Sequence, residues 1–307
     1  MKIIRPVDIT GDKLLSTNAP ADNVPNYDPA VSYSAGDRVI DVDMIYEAAT
    51  SVSGVTPSVG AGQTPPTWYE VGGVNQRAMF NGVINDATVS GADFLVGDGR
   101  GIQVEIRPGR VINALAFFGI EDAEWVRVEV VDASEGVVYD TTRNLRSSNG
   151  IGTYYAWFFE PIERDSDVVF TDLPSYSATI RISIQASTGA DAKAGLCIVG
   201  SIKDLGCTQY GMSVGSMSFS RRTRDDFGRV TLIKRDTAKL ASYDVGVPKE
   251  RSDALSRTLT KFDSVPLVWI GSEQFESSLV YGFYEDFRIV YSNFAMHNST
   301  IEVVGLT

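Results

Sequence analysis

The sequence predicts a mainly β protein in three parts: a small three-stranded module, a jelly-roll-like β-sandwich and a C-terminal α+β unit with one helix on a sheet. Three observations carry this expectation. Apolar and polar residues alternate in many short runs, as in Gln103-Val104-Glu105-Ile106-Arg107 and Thr179-Ile180-Arg181-Ile182-Ser183-Ile184, which sets one side of each strand on a core and the other in water. Turn-forming Gly, Pro, Asn and Asp break these runs at short intervals. One stretch, residues 248–262, shows convincing apolar spacing of a helix.

Residues 1–26 read as an extended N-terminal arm. A β-like start, Ile3 to Ile9, passes into LLSTNAPADNVPN, which has little to bury and is expected to run over a surface, its own or a neighbour's. Met1–Thr10 lacks the continuous apolar core and cleavage site of a secretory signal, so the chain is expected to be made in a cytoplasm and not exported by the usual route.

Residues 27–72 form the small β module. The apolar runs Asp37-Arg38-Val39-Ile40 and Met44-Ile45-Tyr46-Glu47 flank an acidic turn, and loop sequence ends in Pro65-Pro66-Thr67-Trp68-Tyr69. So short a unit depends on a few aromatics, Tyr33, Tyr46, Trp68 and Tyr69. Its order Tyr33-x-x-Gly36-Asp37-x-Val39, Tyr46-Glu47-Ala48, Pro65-Pro66 and Trp68 resembles the carbohydrate-binding modules of bacterial chitinases and their copies in phage tail proteins. In that family exposed aromatics after the Tyr-x-Ala stretch stack on sugar rings; here those places hold Ala49, Thr50 and Ser51. Tyr46, Trp68 and Tyr69 are therefore candidate sugar or partner contacts, with core packing as the other reading.

Residues 73–202 read as the sandwich. Strands are expected at Ala87–Ser90, Gly101–Arg107, Ala114–Ile120, Trp125–Asp132, Gly136–Asp140, Tyr154–Phe159, Asp167–Phe170, Ala178–Ala186 and Ala194–Val199, with Ala114–Phe118 buried on both faces. Trp157, Phe158 and Phe159 in one strand cannot all face a core, so Trp157 joins the candidate contacts.

Residues 203–307 read as the α+β unit. Strand-like Gly215–Arg221 and Gly228–Asp236 precede a helix that starts near Pro248 and puts Ala254, Leu255, Leu259 and Phe262 on one side. Strands Pro266–Ile270, Leu279–Glu285, Phe287–Ser292 and Ser299–Val304 follow. The basic run Arg221, Arg222, Arg224, Arg229, Lys234, Arg235 is either a contact with an acidic subunit or nucleic acid, or a solvated strand pair balanced by Asp225, Asp226 and Asp236. Arg221, Arg222 and Arg224 are the candidate subunit interface.

Net charge of −12 argues against general nucleic-acid affinity, and no run approaches the length of a membrane span. Cys197 and Cys207, with the single His297 far away, lack zinc spacing and read as buried or incidental thiols. No Ser elbow, H-E-x-x-H helix or phosphate-cradling loop occurs, and Gly97-Asp98-Gly99-Arg100-Gly101 reads as a hairpin turn. A glycosidase needs two carboxylates among 39 acidic residues, yet Glu121, Asp122 and Glu124 read as a surface loop. The expectation is no enzyme, no metal and no cofactor.

The whole layout, from MKIIRPVDIT through FFEPI, FTDLPSYSATIRI, Tyr210-Gly211 and DFGRVTLIKR to YGFYEDFRIVYSNFAMHNSTIEVVGLT, resembles tail or baseplate proteins of long-tailed phages and prophages. The resemblance implies a virion tail protein made in the bacterial cytoplasm and present in several copies. Its implied partners are other tail or baseplate proteins, copies of itself and, in an adhesin reading, a host surface glycan.

Overall fold

A computed structural model describes residues 1–91, 100–146, 154–159, 163–224, 226–291 and 293–306; the side chains of Ala156 and Trp157 are not described. It is mainly β, and all its paired strands are antiparallel. The Gly97–Gly101 turn expected from sequence lies largely outside the described residues.

An eleven-stranded sheet organises the molecule. It runs from Val168–Phe170 through Ala114–Glu121, Lys193–Asp204, Lys2–Pro6, Leu267–Ile270, Leu279–Val290 and Met296–Gly305 to Thr237–Pro248, with Cys207–Thr208 and Ser213–Ser218 on its last edge and the short Thr88–Val89 beside the start of Lys193–Asp204. Lys2–Pro6 is the joint. It pairs with Lys193–Asp204 on one side and Leu267–Ile270 on the other, so the sandwich and the C-terminal unit share one sheet. The arm expected to lie over a surface therefore begins as an interior strand, with Ile3 and Ile4 both 0% exposed. Two consecutive isoleucines with neighbours on both edges have an apolar layer on each face to fill, which a surface arm would not offer.

One face of this sheet is covered twice. Over its first half lies a five-stranded sheet in the order Gly136–Asn144, Ala123–Asp132, Thr179–Ala186, Gly101–Ile106, Leu14–Thr17. Val104, Val128 and Ile182 meet Leu115, Phe117 and Val199 across the gap, which makes the sandwich. Over the second half lies the helix Ser252–Lys261, burying Leu255 and Leu259 against Trp269, Tyr243 and Val303. Ala254, expected on the inner side, is exposed.

The opposite face folds on itself. Phe118 and Tyr281 lie four strands apart, about 20 Å in a flat sheet, but their rings are 6.0 Å apart. The sheet is thus strongly curled, with Ile4, Ala116, Leu196 and Val268 inside the curl.

The module keeps its own core. Strands Arg38–Asp41, Met44–Ala48 and Trp68–Gly73 form its three-stranded sheet. Tyr27, Tyr33 and Trp68 pack together at 5.4 to 6.1 Å between ring centres, and Trp68 Nε1 donates to the Val55 carbonyl at 3.1 Å. Gly60 is required beneath this ring: a Cβ there would lie 2.5 Å from Trp68 Cδ1. Asn75 and Arg77 fasten module, arm and sandwich. Asn75 bonds Pro20, Asp22 and Val89, and Arg77 bonds Gly11 and pairs with Asp43.

Further expectations change. The strands expected at Leu279–Glu285 and Phe287–Ser292 are one strand, Leu279–Val290, with an irregularity between Tyr284 and Asp286 in place of a break. Tyr154–Phe159 is a short helix and not a strand; its six residues include five aromatics, whose strand preference is weak once no neighbouring strand pairs with them. The strand pair expected at Gly215–Arg221 and Gly228–Asp236 is a longer, kinked ribbon. Ser213–Ser218 pairs with Thr237–Pro248, and beyond the kink Arg221–Arg224 pairs with Val230–Ile233.

Candidate functional site

A cleft of about 280 Å³ opens where the curled sheet brings distant strands together, lined by Ile84, Phe118, Asp167, Lys239, Tyr281 and Leu306 among others. Asp167 directly precedes the edge strand Val168–Phe170 and is 6% exposed. One of its carboxylate oxygens accepts from Gly119 N at 3.2 Å; the other pairs with Lys239 Nζ. Glu276 Oε1 accepts the backbone N–H groups of Ser166 at 2.9 Å and Asp167 at 3.0 Å. Burial, and next the charge of Asp167, raise the Glu276 carboxyl above its ordinary value. These groups clamp the sandwich edge to the C-terminal strands, with both Asp167 oxygens and Glu276 Oε1 engaged by the chain itself.

A second polar pair is buried at the start of the helix. Ser252 Oγ lies 2.7 Å from His297 Nδ1, with the two residues 2% and 6% exposed and Tyr291 against the imidazole at 4.6 Å between ring centres. A serine so enclosed offers no approach to a substrate. Its hydroxyl also reaches the Pro248 carbonyl at 3.4 Å, holding the helix start to the strand before it. Cys197 is buried and Cys207 exposed, both as free thiols, and burial pushes the Cys197 thiol far up. Among the described residues no three His, Cys, Asp or Glu side chains gather as a metal site, and no helix is long and apolar enough to cross a membrane.

The residues proposed for sugar or partner contact separate. Tyr46 and Trp68 are 6% and 0% exposed and belong to the module core, out of reach of a sugar ring. Tyr69, next in the strand, points outward and is 57% exposed. Directly across from it stands Glu47, whose carboxylate pairs with Arg38 at 2.9 Å. The side chain of Trp157 lies outside the described residues, but its helix neighbours Tyr154, Tyr155, Phe158 and Phe159 are all exposed.

Arg221, Arg222 and Arg224 are exposed on the outer half of the ribbon. The register sets Leu232 opposite Arg222, Val230 opposite Arg224 and Ile233 opposite Arg221, so aliphatic side chains share both faces with the guanidinium groups. These three aliphatics are 47 to 62% exposed. A reading built on the basic residues misses them, although alternation across a ribbon with no covering layer is visible in Val230-Thr231-Leu232-Ile233.

No known family model matches the chain, and no curated protein shows significant sequence similarity to it.

Proposed function

We propose that the chain is a structural subunit of a phage tail, at the baseplate or tail tip, that acts through protein–protein contacts and catalyses no reaction. The observation that carries this reading is where exposed apolar side chains gather. They are exposed on the Arg221–Arg224/Val230–Ile233 ribbon and on the Tyr154–Phe159 helix, open to a partner surface. The resemblance to tail and baseplate proteins supports the same reading. Labelling purified parent particles with an antibody to the chain and imaging them by electron microscopy tests it. Label at one end of the tail is expected; unlabelled particles that contain none of the chain would defeat it.

A second reading, a carbohydrate-binding adhesin, is favoured by Tyr69: an open aromatic ring beside a paired Arg38 and Glu47 offers stacking and hydrogen bonding together. A glycan array with the native chain and Tyr69→Ala tests it. Binding lost in the variant supports an adhesin, and no binding by the native chain at millimolar glycan removes it.

A further inference from the structure

The ribbon is unlike the rest of the chain in charge. Between Phe219 and Asp236 six basic residues face three acidic ones, a net of +3, which leaves −15 on the remainder of a chain whose total is −12. On the body several basic side chains are paired: Arg127 with Glu129 and Asp140, Arg181 with Glu105 and Glu129, and Lys193 with Glu121. Among the described residues no ion pair holds Arg221, Arg222 or Arg224.

Packing points the same way. Beyond Phe219 each arm runs about seven residues to the turn, roughly 20 Å of reach, and the described residues from Arg221 to Thr237 are all exposed. A two-stranded ribbon alone in water is marginally stable, so one that carries Val230, Leu232 and Ile233 in the open gains order from being covered. Its outer edge is also unprotected. Ser213–Ser218 pairs only with Thr237–Pro248, and its sequence Ser-Val-Gly-Ser-Met-Ser holds no charge or proline, the devices that blunt a free sheet edge.

We infer that this ribbon is a docking arm that inserts against the acidic body of a second copy of the same chain. Charge selects the occupant and also the symmetry. Two +3 ribbons repel each other, whereas a +3 ribbon on a −15 body attracts. The contact is therefore heterologous, arm to body, and propagates to a ring when the rotation closes. The aliphatic side chains supply the dry centre of the contact, and Arg222 and Arg224 fix its orientation at the rim. This deepens the proposed structural role by naming the contact that builds the assembly.

The test uses the full-length chain in sedimentation and light-scattering measurements across salt concentration. The native chain is expected to form one closed oligomer that loosens as salt rises. Arg222→Glu/Arg224→Glu and, separately, Val230→Ser/Leu232→Ser are each expected to be monomers with unchanged circular dichroism. The charge-reversed chain keeps its acidic body, so it is expected to bind native chain added to it and cap its growth. A native chain that is monomeric at every concentration, or variants that assemble like the native chain, would overturn the inference. So would a monomer whose ribbon takes up nucleic acid or an unrelated protein instead. These readouts need no particle: a monomer found in a tail sinks the arm and spares the tail reading, and a ring from a chain absent from particles does the reverse.

Discussion

If Lys2–Pro6 joins the two halves of the large sheet, truncating its two isoleucines weakens both halves at once. Ile3 sits in the cluster beneath the helix with Trp269 and Leu259, and Ile4 sits inside the curl with Val268 and Leu196; both are fully buried. Removing most of a buried isoleucine costs about 2–5 kcal/mol, part of it from the cavity left behind. Because the two side chains fill different clusters, the double variant Ile3→Ala/Ile4→Ala loses roughly 4–10 kcal/mol, comparable with the whole stability of about 5–15 kcal/mol of an ordinary domain. Urea unfolding followed by circular dichroism, with hydrogen exchange to separate the halves, is the assay. Each single variant is expected to shift the midpoint strongly and to raise exchange in its own cluster first. The double variant is expected to be largely unfolded or to melt in two steps. Single variants that stay within about 0.5 kcal/mol of the native chain, the range of ordinary surface changes, would refute the interior placement of this strand.

Four other outcomes follow from the geometry. Glu276→Ala strands the two backbone donors of Ser166 and Asp167 and is expected to cost about 1–3 kcal/mol in denaturant melts, whereas Glu276→Gln keeps the acceptor and is expected to be far milder. Because the Glu276 carboxyl is raised in the fold, its share of stability is greatest at low pH and falls as pH climbs through its unfolded and then its folded value; Glu276→Gln removes that share in a pH series of melts. Asp140 has the opposite sign: hydrogen bonding from Arg127 lowers its carboxyl, so its stabilisation is present above the unfolded value and lost as pH falls through the folded one, and Asp140→Asn should flatten that acid limb. Val42 holds a left-handed φ of 45° at the turn between Arg38–Asp41 and Met44–Ala48, where a β-branched side chain is strained; Val42→Asn is expected to raise stability by about 1 kcal/mol, measured by thermal melting.

The strands were legible wherever one face is wet. The alternation in Gly101–Ile106 and Thr179–Ala186 marks outward charges that pair across the sheet, Glu105 with Arg181 at 2.8 Å, and inward aliphatics that meet the facing sheet. The helix was legible from Leu255 and Leu259, but Ala254 misled because one methyl group fits either side. Sheet continuity was not legible, since nothing in Ile3-Ile4 names Val268 and Ile202 as neighbours; register between distant segments is set by the assembled core. For the same reason the clamp around Asp167 and Glu276 could not be read: its partners lie 109 positions apart in the chain, and single acidic residues carry no local signal. In the module, Tyr46-Glu47-Ala48 and Trp68-Tyr69 announced aromatics without saying which ring faces inward; only the bulge between Ile45 and Tyr46 and the pairing of Glu47 with Tyr69 decide that.

The pairing of Ile4 with Val268 also sets a timetable for biosynthesis. A ribosome releases Ile4 long before Val268 exists, so the sandwich can gather its five-stranded layer early, but the eleven-stranded sheet stays open along one seam until nearly the whole chain has emerged. During that interval the free edge of Lys2–Pro6 is available to the wrong strand. Nascent chains stalled before residue 267 should accordingly be the species that chaperones hold longest.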